Sequence, residues 1–379
     1  MHVLIIPSWY FPRDSKEIGG KNFHQLAIGL RETGIDARIF YGHYSPFAPP
    51  LKKRSFTMEE MVPTMRESQF TLPKVHSSLI KNWINKYAAG VEQYIREHGK
   101  PNLIHAQSYL ASMVAREIKQ RTGIPFIYTE HLSAFITGSI PGLYIDFIKK
   151  GAESANLVTS VSPGLKEKML PYTSSAIEII PNFYDLRIFF YDGSVPKNET
   201  FTWVTVGEPA YIKGLDLLIQ AFGLVRKLLP DVKMQLILVD EIKEKEALLK
   251  LAAEKNIQDS LVWTGLIDQK QIADIFRKSH AYVSASRAET FGTSIVEAQA
   301  CGLPVIATQT DGAQYILNES GQGTLTELGN LDQMANAMRD VYLAYAQYNP
   351  HNIMKLVEAR FSKEVVINQW KEIYSRVAL

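Results

Sequence analysis

Residues 284–307 read SASRAETFGTSIVEAQACGLPVIA and carry the signals of a single strand–loop–helix–strand unit. A strand ends at the start of the stretch, and after a loop a short helix begins near Thr293 or Ser294. The helix ends at Gly302, because glycine readily adopts the left-handed conformation that closes a helix. The apolar run from Val305 predicts a second strand. A strand, a helix and a strand in this order predict a parallel α/β sheet.

The same alternation of strand-like and helical segments runs along the whole chain and falls into two halves. In the first half, strands are predicted at Val3–Ile6, Ala37–Phe40, Leu103–His105, Phe126–Thr129, Leu157–Val161 and Ile177–Ile180, and helices at Asn22–Thr33, Leu79–His98, Leu110–Thr122 and Pro163–Leu170. In the second half, strands are predicted at Thr202–Val206, Met234–Val239, Leu261–Thr264, Ala281–Ser284 and Val305–Ala307, and helices at Gly214–Leu229, Lys243–Lys255, Gln269–Lys278 and Ser294–Ala300. Two doubly wound sheets that meet near residues 185–200 are the simplest account. We therefore predict a first domain of residues 1–190, completed by a terminal helix at 362–379, and a second domain of residues 191–361.

Length and composition place the chain among ordinary globular proteins. Of its 379 residues, 46% are apolar and 21% are charged, so it can bury large cores and has no signature of disorder. The single cysteine, Cys301, excludes an internal disulfide and is interpreted as a small buried apolar residue in a reducing compartment. The first residues form a strand-like run without a basic, cleavable leader, and no segment has ~18 consecutive apolar residues. We expect a cytoplasmic protein without a membrane span.

The net charge of +2 conceals an asymmetry between the halves. Residues 1–190 contain 22 Lys and Arg against 16 Asp and Glu, whereas residues 191–379 contain 19 against 23. Part of the basic excess lies in Leu51–Arg54 and in Lys74–Lys86, where apolar residues and lysines are mixed. This pattern favours either contact with the anionic inner face of a membrane, or a solvated helix face whose apolar side lies in the core. No nucleic-acid partner is expected, because no aromatic and basic recognition string accompanies the charge.

Several common catalytic signatures are absent from the sequence. There is no G-x-G-x-x-G, no G-x-x-x-x-G-K-[ST] and no G-x-S-x-G, which argues against a dinucleotide-dependent oxidoreductase, a P-loop enzyme and an α/β-hydrolase. No D-x-D pair and no H-E-x-x-H occur, so the usual signatures of a metal ion at a nucleotide diphosphate or of a zinc site are missing. We expect chemistry without a bound metal or cofactor.

The loop and helix start within residues 284–307 have the features of an anion-binding site. Gly292 lets the backbone approach a ligand closely, and the N–H groups from Gly292 to Ser294 have no partner inside the helix and lie at the positive end of its dipole. Glu289 precedes these groups, and Glu297 follows one turn into the helix. Because carboxylates accept hydrogen bonds from sugar hydroxyls, a bound nucleotide diphosphate could place its sugar near Glu289 and its ribose near Glu297.

Residues 289–305 resemble the hallmark of the retaining glycosyltransferases of family 4. That hallmark has two glutamates separated by seven residues within E-G-F-G-x-x-x-x-E-A-x-A-x-G-x-P-V, and here only Thr290 replaces the first glycine. The resemblance implies the GT-B fold, in which two Rossmann-like doubly wound domains face a central cleft and a C-terminal helix crosses back to the first domain.

Segments of the first half resemble the same family. Gly19 and Gly20 resemble the glycine loop that approaches the donor diphosphate and the acceptor; the alternative is a plain turn. His131, which follows a predicted strand, resembles the strand-end histidine that contacts the donor sugar; the alternative is a structural histidine.

Two segments depart from the family pattern. The family places an arginine and a lysine on the donor phosphates in V-G-R-x-x-x-x-K-G, and here Gly207 and Lys213 are present but Glu208 stands where the arginine is expected. An anion repels a diphosphate, so either Glu208 turns away or the donor differs. Val239–Ile242 replaces a G-x-G turn of the family and adopts positive φ less easily.

The resemblance implies the retaining transfer of a sugar from a UDP- or GDP-sugar to a hydroxyl of a saccharide, lipid-linked or small-molecule acceptor, without a metal. The expected catalytic residues are Glu289, His131 and Lys213. The expected donor-binding residues are Gly19, Gly20, Gly207, Glu208, Lys213, Phe291, Gly292, Thr293, Ser294 and Glu297. Two other interpretations stay open: a catalytically weak or inactive homologue that binds sugar nucleotides or a partner transferase, and a nucleotide-sugar epimerase on the same fold.

Overall fold

The computed structural model describes residues 1–11, 19–208, 210–239, 241, 243–318 and 323–378. Its strands are β1 (His2–Pro7), β2 (Asp36–Ser45), β3 (Lys53–Glu59), β4 (Val62–Phe70), β5 (Leu103–Gln107), β6 (Phe126–Glu130), β7 (Leu157–Ser160), β8 (Ile177–Ile179), β9 (Phe201–Val206), β10 (Met234–Val239), β11 (Leu261–Trp263), β12 (Ala281–Ser284), β13 (Val305–Thr308) and β14 (Gly323–Thr326). Its helices are α1 (Lys21–Glu32), α2 (Ser77–His98), α3 (Tyr109–Thr122), α4 (Ala134–Thr137), α5 (Gly142–Ser154), α6 (Pro163–Met169), α7 (Ala210–Lys213), α8 (Leu215–Leu228), α9 (Lys245–Glu254), α10 (Gln269–Lys278), α11 (Thr293–Ala300), α12 (Asp311–Leu317), α13 (Leu331–Leu343), α14 (Pro350–Phe361) and α15 (Lys363–Val377). The chain divides into two compact units, Met1–Pro181 with Val366–Leu379, and Asn182–Val365.

The first unit is built on a sheet whose described strands follow the order β3-β4-β2-β1-β5-β6-β7-β8. All neighbours are parallel except β3, which pairs antiparallel to β4. The strand order reverses between β1 and β5, since β2 and β4 lie on one side of β1 and β5 to β8 lie on the other. In such sheets, ligands bind beyond the carboxyl ends of the strands at this reversal.

Burial explains the central strands of this sheet. Residues Val3 to Ile6 of β1 have no exposed surface, and β5 and β6 are buried along their whole length. Continuous buried runs are typical of parallel strands that are covered on both faces. The sequence therefore predicts these strands correctly.

Strands β3 and β4 are absent from the sequence-based prediction. They form a hairpin whose turn residues, Glu60 and Met61, have φ of 40° and 69°. Such turns usually contain Asn or Gly, which adopt positive φ with little strain. The hairpin therefore has no recognisable turn signal in the sequence.

Helix α2 shows where three apolar residues of Lys74–Lys86 lie. Ile80, Trp83 and Ile84 are buried against the first unit, so the apolar face of the helix belongs to the core. None of the described helices, α2 included, combines the length and apolar character that a bilayer crossing requires.

The second unit is built on a parallel sheet whose described strands follow the order β11-β10-β9-β12-β13-β14. The order reverses between β9 and β12. Trp203, Phe222, Leu236, Val283 and Met338 belong to the buried cluster that joins the sheet to its helices. Cys301 is free and buried, as expected from sequence.

Residues 182–190 belong to the second unit, although the sequence-based boundary lies after residue 190. Phe189 packs on Phe276 with ring centroids 6.2 Å apart, and Arg277 Nη1 donates to the carbonyl oxygen of Ile188 at 3.0 Å. Tyr184 forms an isolated bridge with Ser362. These contacts attach the segment to the second unit, which begins at Asn182.

The terminal helix α15 returns to the first unit from Val366 onward. Tyr374 OH is 2.6 Å from Nδ1 of His105, and the Trp370 and His105 rings have centroids 4.6 Å apart. Arg376 pairs with Glu178 at 2.7 Å. The predicted return of the C-terminal helix is confirmed.

Candidate active site

His131 lies at the carboxyl edge of the first sheet, directly after β6. Its ring Nε2 is 2.7 Å from Oε1 of Gln107, the last residue of the neighbouring strand β5. Burial lowers the pKa of His131 to about 3, so the imidazole is neutral at pH 7. With Gln107 Oε1 as the acceptor, Nε2–H donates and Nδ1 is the accepting nitrogen. The ring is therefore held in one orientation.

A buried carboxylate, Glu130, shapes the turn that carries His131. Its Oε1 accepts the N–H groups of His131 at 2.7 Å and Leu132 at 2.9 Å. Its Oε2 accepts the hydroxyl of Tyr128 at 2.6 Å and the N–H of Tyr109 at 3.1 Å. Burial raises the pKa of Glu130 above its usual value. Four donors on one buried carboxylate make this turn rigid.

The Gly19–Gly20 loop lies beside the same edge of the sheet. Gly20 has φ of +84°, and a Cβ on it would lie 2.9 Å from the carbonyl oxygen of Trp9. Neither the conformation nor the space accepts a side chain. The Trp9 ring meets His131 edge-on at 6.5 Å between centroids, and Phe23 meets it at 5.1 Å. The first unit thus brings the glycine loop and His131 together.

Gly207 and Lys213 follow β9 in the second unit and depend on each other's geometry. Gly207 has φ of +129°, and a Cβ on it would lie 2.7 Å from Cε of Lys213. The missing side chain at Gly207 therefore leaves the space that the lysine stem occupies.

Lys213 and Glu289 form an ion pair at the reversal of the second sheet. Lys213 Nζ donates to Glu289 Oε2 at 2.8 Å, and both side chains are partly buried. The residues are 76 positions apart but meet because β9 and β12 are neighbours. Ser286 Oγ donates to the same carboxylate oxygen at 3.3 Å. An anion bound here would compete with Glu289 for the lysine.

Arg287 ties the segment of Lys213 to the loop of Glu289. Its guanidinium donates to both carboxylate oxygens of Asp216 at 2.7 Å and to the carbonyl oxygen of Tyr211 at 2.6 Å. It also lies 4.3 Å above the Tyr211 ring centroid. This planar, two-bonded pair holds the pKa of Asp216 below its usual range.

Helix α11 begins at Thr293, and Gly292 precedes it with φ of +94°. No side chain caps this helix, so the N–H groups of Thr293 and Ser294 are available at the positive end of the dipole. Ser294 Oγ accepts the hydroxyl of Tyr282 at 2.8 Å, which orients the serine. Such a helix start can bind an anion through backbone N–H groups.

Glu297 lies one turn further along α11. Burial raises the pKa of Glu297 to about 8. Its carboxyl has no side-chain hydrogen bond to any residue in the described ranges. A carboxyl in this state can accept hydrogen bonds from the hydroxyls of a ligand.

Phe291 contributes no ring to a ligand. Its side chain is buried, with centroids 5.4 Å from Phe361 and 6.4 Å from Tyr315. Only its backbone remains for contact with a donor.

Glu208 has a protein partner of its own. Its Oε1 accepts the N–H of Lys243 at 3.1 Å, which links the loop after β9 to the loop after β10. Of the departing segment at Val239–Ile242, Asp240 and Ile242 lie outside the described residues.

Two protein-family descriptions match the chain. Glycosyltransferase Family 4 matches residues 20–188, and Glycosyl transferases group 1 matches residues 190–350. The chain belongs to glycosyltransferase family 4. This family 4 member is therefore a glycosyltransferase that acts on nucleotide sugars, and the clusters at Lys213–Glu297 and at His131 lie within the matched residues.

Curated relatives agree with this membership. The chain is 25% identical over 359 residues to a D-inositol 3-phosphate glycosyltransferase of Pseudarthrobacter chlorophenolicus. The match covers 86% of this chain and 83% of that glycosyltransferase. It is 26% identical over 253 residues to an N-acetyl-alpha-D-glucosaminyl L-malate synthase of Bacillus anthracis. That match covers 63% of this chain and 64% of the synthase.

Solved structures show the GT-B fold of this glycosyltransferase. A sucrose-phosphate synthase from Thermosynechococcus elongatus superposes with a TM-score of 0.81 at 20% identity and covers 99% of both chains. HepE from Anabaena, in complex with UDP, superposes with a TM-score of 0.75 at 18% identity and covers 99% of this chain and 100% of that one. Two Rossmann-like domains are the shared architecture.

Sequence reasoning missed the residues that position the candidate groups. Gln107, Tyr282, Ser286 and Arg287 orient His131, Ser294 and Glu289 and were not singled out. Gln107 had a usable signal, since it is a polar residue at the carboxyl end of an apolar strand. Asp216, the partner of Arg287, is 71 positions away, whereas Ser286 and Tyr282 contact residues three and 12 positions away in their own strand–loop–helix unit.

Proposed function

We propose that this glycosyltransferase is a retaining, metal-independent enzyme that transfers a sugar from a nucleotide-diphosphate donor to an acceptor hydroxyl. The acceptor is a saccharide, a lipid-linked sugar or a small molecule. The observation that carries the proposal is the cluster of Lys213, Glu289, the α11 start and Glu297 at the reversal of the second sheet.

The second domain supplies the charge that a leaving diphosphate requires. Lys213 Nζ and the N–H groups of Thr293 and Ser294 are cationic or partially positive and are fixed by the fold. Such preorganised donors stabilise negative charge that develops in a transition state. This arrangement supports transfer in which protein groups, rather than a metal ion, balance the diphosphate.

The remaining groups suit the sugars. Glu297 is assigned to the ribose hydroxyls, and Glu289 and His131 are assigned to the transferred sugar. In the retaining reaction, the bond between the anomeric carbon and the donor phosphate oxygen breaks. The acceptor oxygen bonds to the same face of that carbon, and its proton passes to the leaving phosphate oxygen. The assignment of retention follows from the resemblance of residues 289–305 to the family hallmark.

Uracil is the base that the ligands named for two structural neighbours support, with guanine as the alternative. HepE is described in complex with UDP, and a trehalose-6-phosphate structure from E. coli is described as bound with UDP-2-fluoro glucose.

The test is nucleotide release from UDP- and GDP-sugars in the presence of EDTA. We expect release from one donor class and an unchanged anomeric configuration in the product, read by NMR. Glu289→Ala should lower kcat by about 10²–10³-fold, since it removes a group that orients the sugar. Lys213→Ala should mainly weaken binding of the nucleoside diphosphate.

Matched controls lie on helix α9. Glu254→Ala and Lys250→Ala change exposed residues of the same types in the same domain and should leave both measurements unchanged. Normal turnover in a folded Glu289→Ala variant would contradict the site assignment, and loss of release in EDTA would contradict metal independence.

Glu208 favours a second candidate, an inactive homologue that binds sugar nucleotides. An anion stands where the family has a phosphate-binding arginine, although its carboxylate is engaged by the Lys243 N–H. A thermal shift with UDP that is accompanied by no release from any UDP- or GDP-sugar would favour this candidate.

A further inference from the structure

Two loops of the first domain leave the carboxyl edge of its sheet side by side. Residues 46–52 follow β2 and residues 71–76 follow β4, and these strands are parallel neighbours. Backbone bonds join the loops: the Phe70 N–H donates to Pro49 O at 2.8 Å, and the Thr71 N–H donates to Ser45 O at 3.2 Å. The two loops therefore form one continuous surface.

Large apolar side chains on these loops are exposed. Phe47 is 96% exposed, Leu51 80%, Val75 60% and Leu72 51%. Phe47 and Leu51 are the two most exposed large apolar side chains among the described residues. Single exposed apolar residues are ordinary, but four on two adjoining loops mark an interaction surface.

Basic residues accompany these apolar side chains in the sequence, and acidic residues are absent from both segments. Residues 37–58 and 68–91 contain no Asp or Glu. Lys53 and Lys81 are exposed, and Lys74 lies 4.3 Å above the Trp83 ring. Lys81 also lines a cavity with Glu117 of α3 and Asp146 of α5. The Glu67 carboxylate on β4 is buried and paired with Lys52 and Arg54.

We propose that this surface, made by Phe47, Leu51, Leu72 and Val75 with Lys53, Lys74 and Lys81, docks on an anionic phospholipid bilayer. The apolar tips enter the interfacial region, and the lysines lie over the lipid phosphates. Projecting apolar side chains on segments that carry lysines and no Asp or Glu of their own are the complement of such a surface.

The docking surface lies at the same edge of the first sheet as His131. The loops follow strands whose carboxyl ends lie at the same edge of the sheet as His131. Docking would turn this edge of the first domain toward the bilayer. If the proposed function holds, a lipid-linked acceptor would present its hydroxyl at the edge where the transfer residues of this domain lie.

The test is flotation of the full chain with vesicles of phosphatidylcholine, alone or mixed with phosphatidylglycerol, without donor. We expect binding to the anionic vesicles that weakens as salt rises. Phe47→Ser/Leu51→Ser should weaken it by about tenfold or more. Lys53→Gln/Lys81→Gln should weaken it by about fivefold per removed charge.

Leu328→Ser/Leu343→Ser removes two exposed leucines from the second domain and is the matched control. It should bind like the unmodified chain, and thermal melting checks that each variant is folded. Absence of flotation, or equal flotation with neutral and anionic vesicles, would overturn the proposal. Self-association that is abolished by Phe47→Ser/Leu51→Ser would overturn it in favour of a contact between copies. Nucleotide release from a soluble donor should be unchanged in these variants, so a failure of docking is distinct from a failure of the proposed function.

Discussion

At the scale of single residues, Glu297 shows how burial prepares a group for a ligand. Burial raises the pKa of Glu297 to about 8, so the carboxyl holds a proton at pH 7. In the unfolded chain the same group is ionised at that pH. Between the unfolded pKa and about 8, this residue therefore opposes folding increasingly as pH rises. A ligand whose hydroxyls donate to the carboxylate would lower its pKa again.

We expect binding of UDP at pH 7 to release protons from Glu297. Hydrogen bonds from the ribose favour the ionised carboxylate, so a proton leaves when the pKa falls below the ambient pH. Calorimetric titrations in buffers of different ionisation enthalpy measure this release. Glu297→Gln should abolish the difference between buffers, whereas Glu254→Gln should preserve it. Equal proton release in Glu297→Gln would assign the linkage to another group.

At the scale of elements, the Arg287 contacts fix the positions of two segments relative to each other. The guanidinium joins helix α8, through Asp216, to the loop that carries Glu289, and the Arg287 N–H donates to Ile212 O at 2.7 Å. Lys213 adjoins Ile212. The distance between the Lys213 and Glu289 side chains therefore depends on Arg287, which lies two positions before the glutamate.

We expect Arg287→Lys to lower kcat more than it changes KM, because a lysine cannot reproduce the two parallel bonds to Asp216. A displacement of about 1 Å can cost on the order of 10²-fold in rate. Steady-state kinetics of folded protein measure the split. Arg339→Lys, which alters an exposed Arg–Asp pair on α13, is the control. A lower melting temperature with unchanged kinetics would mean that Arg287 serves stability alone.

At the scale of the whole molecule, the last helix makes the first domain depend on the end of the chain. Trp370 and Tyr374 of α15 are buried against His105 of β5, although the second domain separates them in sequence. The first domain is complete only after the chain has returned to it.

We expect Trp370→Ala to destabilise the first domain by about 3–5 kcal/mol, the usual cost of truncating a buried tryptophan. Hydrogen exchange should show lost protection in β5 and α15, with the second sheet unaffected. Glu372→Ala, at an exposed position of the same helix, should change little. Equal loss of protection in both domains would contradict this local dependence.

The alternation of apolar runs such as Val3–Ile6 with helical periods determined the parallel α/β class, because strands that are covered on both faces are typical of parallel sheets. The motif from Glu289 to Val305 was likewise sufficient to predict that the chain belongs to glycosyltransferase family 4. By contrast, the β3–β4 hairpin turns at Glu60 and Met61, whose positive φ has no local sequence signal.

Only the tertiary structure decided which apolar residues are exposed and which charges meet. Trp83 and Phe47 both lie in basic, apolar segments, but the core covers one and leaves the other outside. Lys213 and Glu289 pair because β9 and β12 are adjacent where the strand order reverses. Strand order is set by the packing of whole helices and sheets, so no local pattern of residues predicts it.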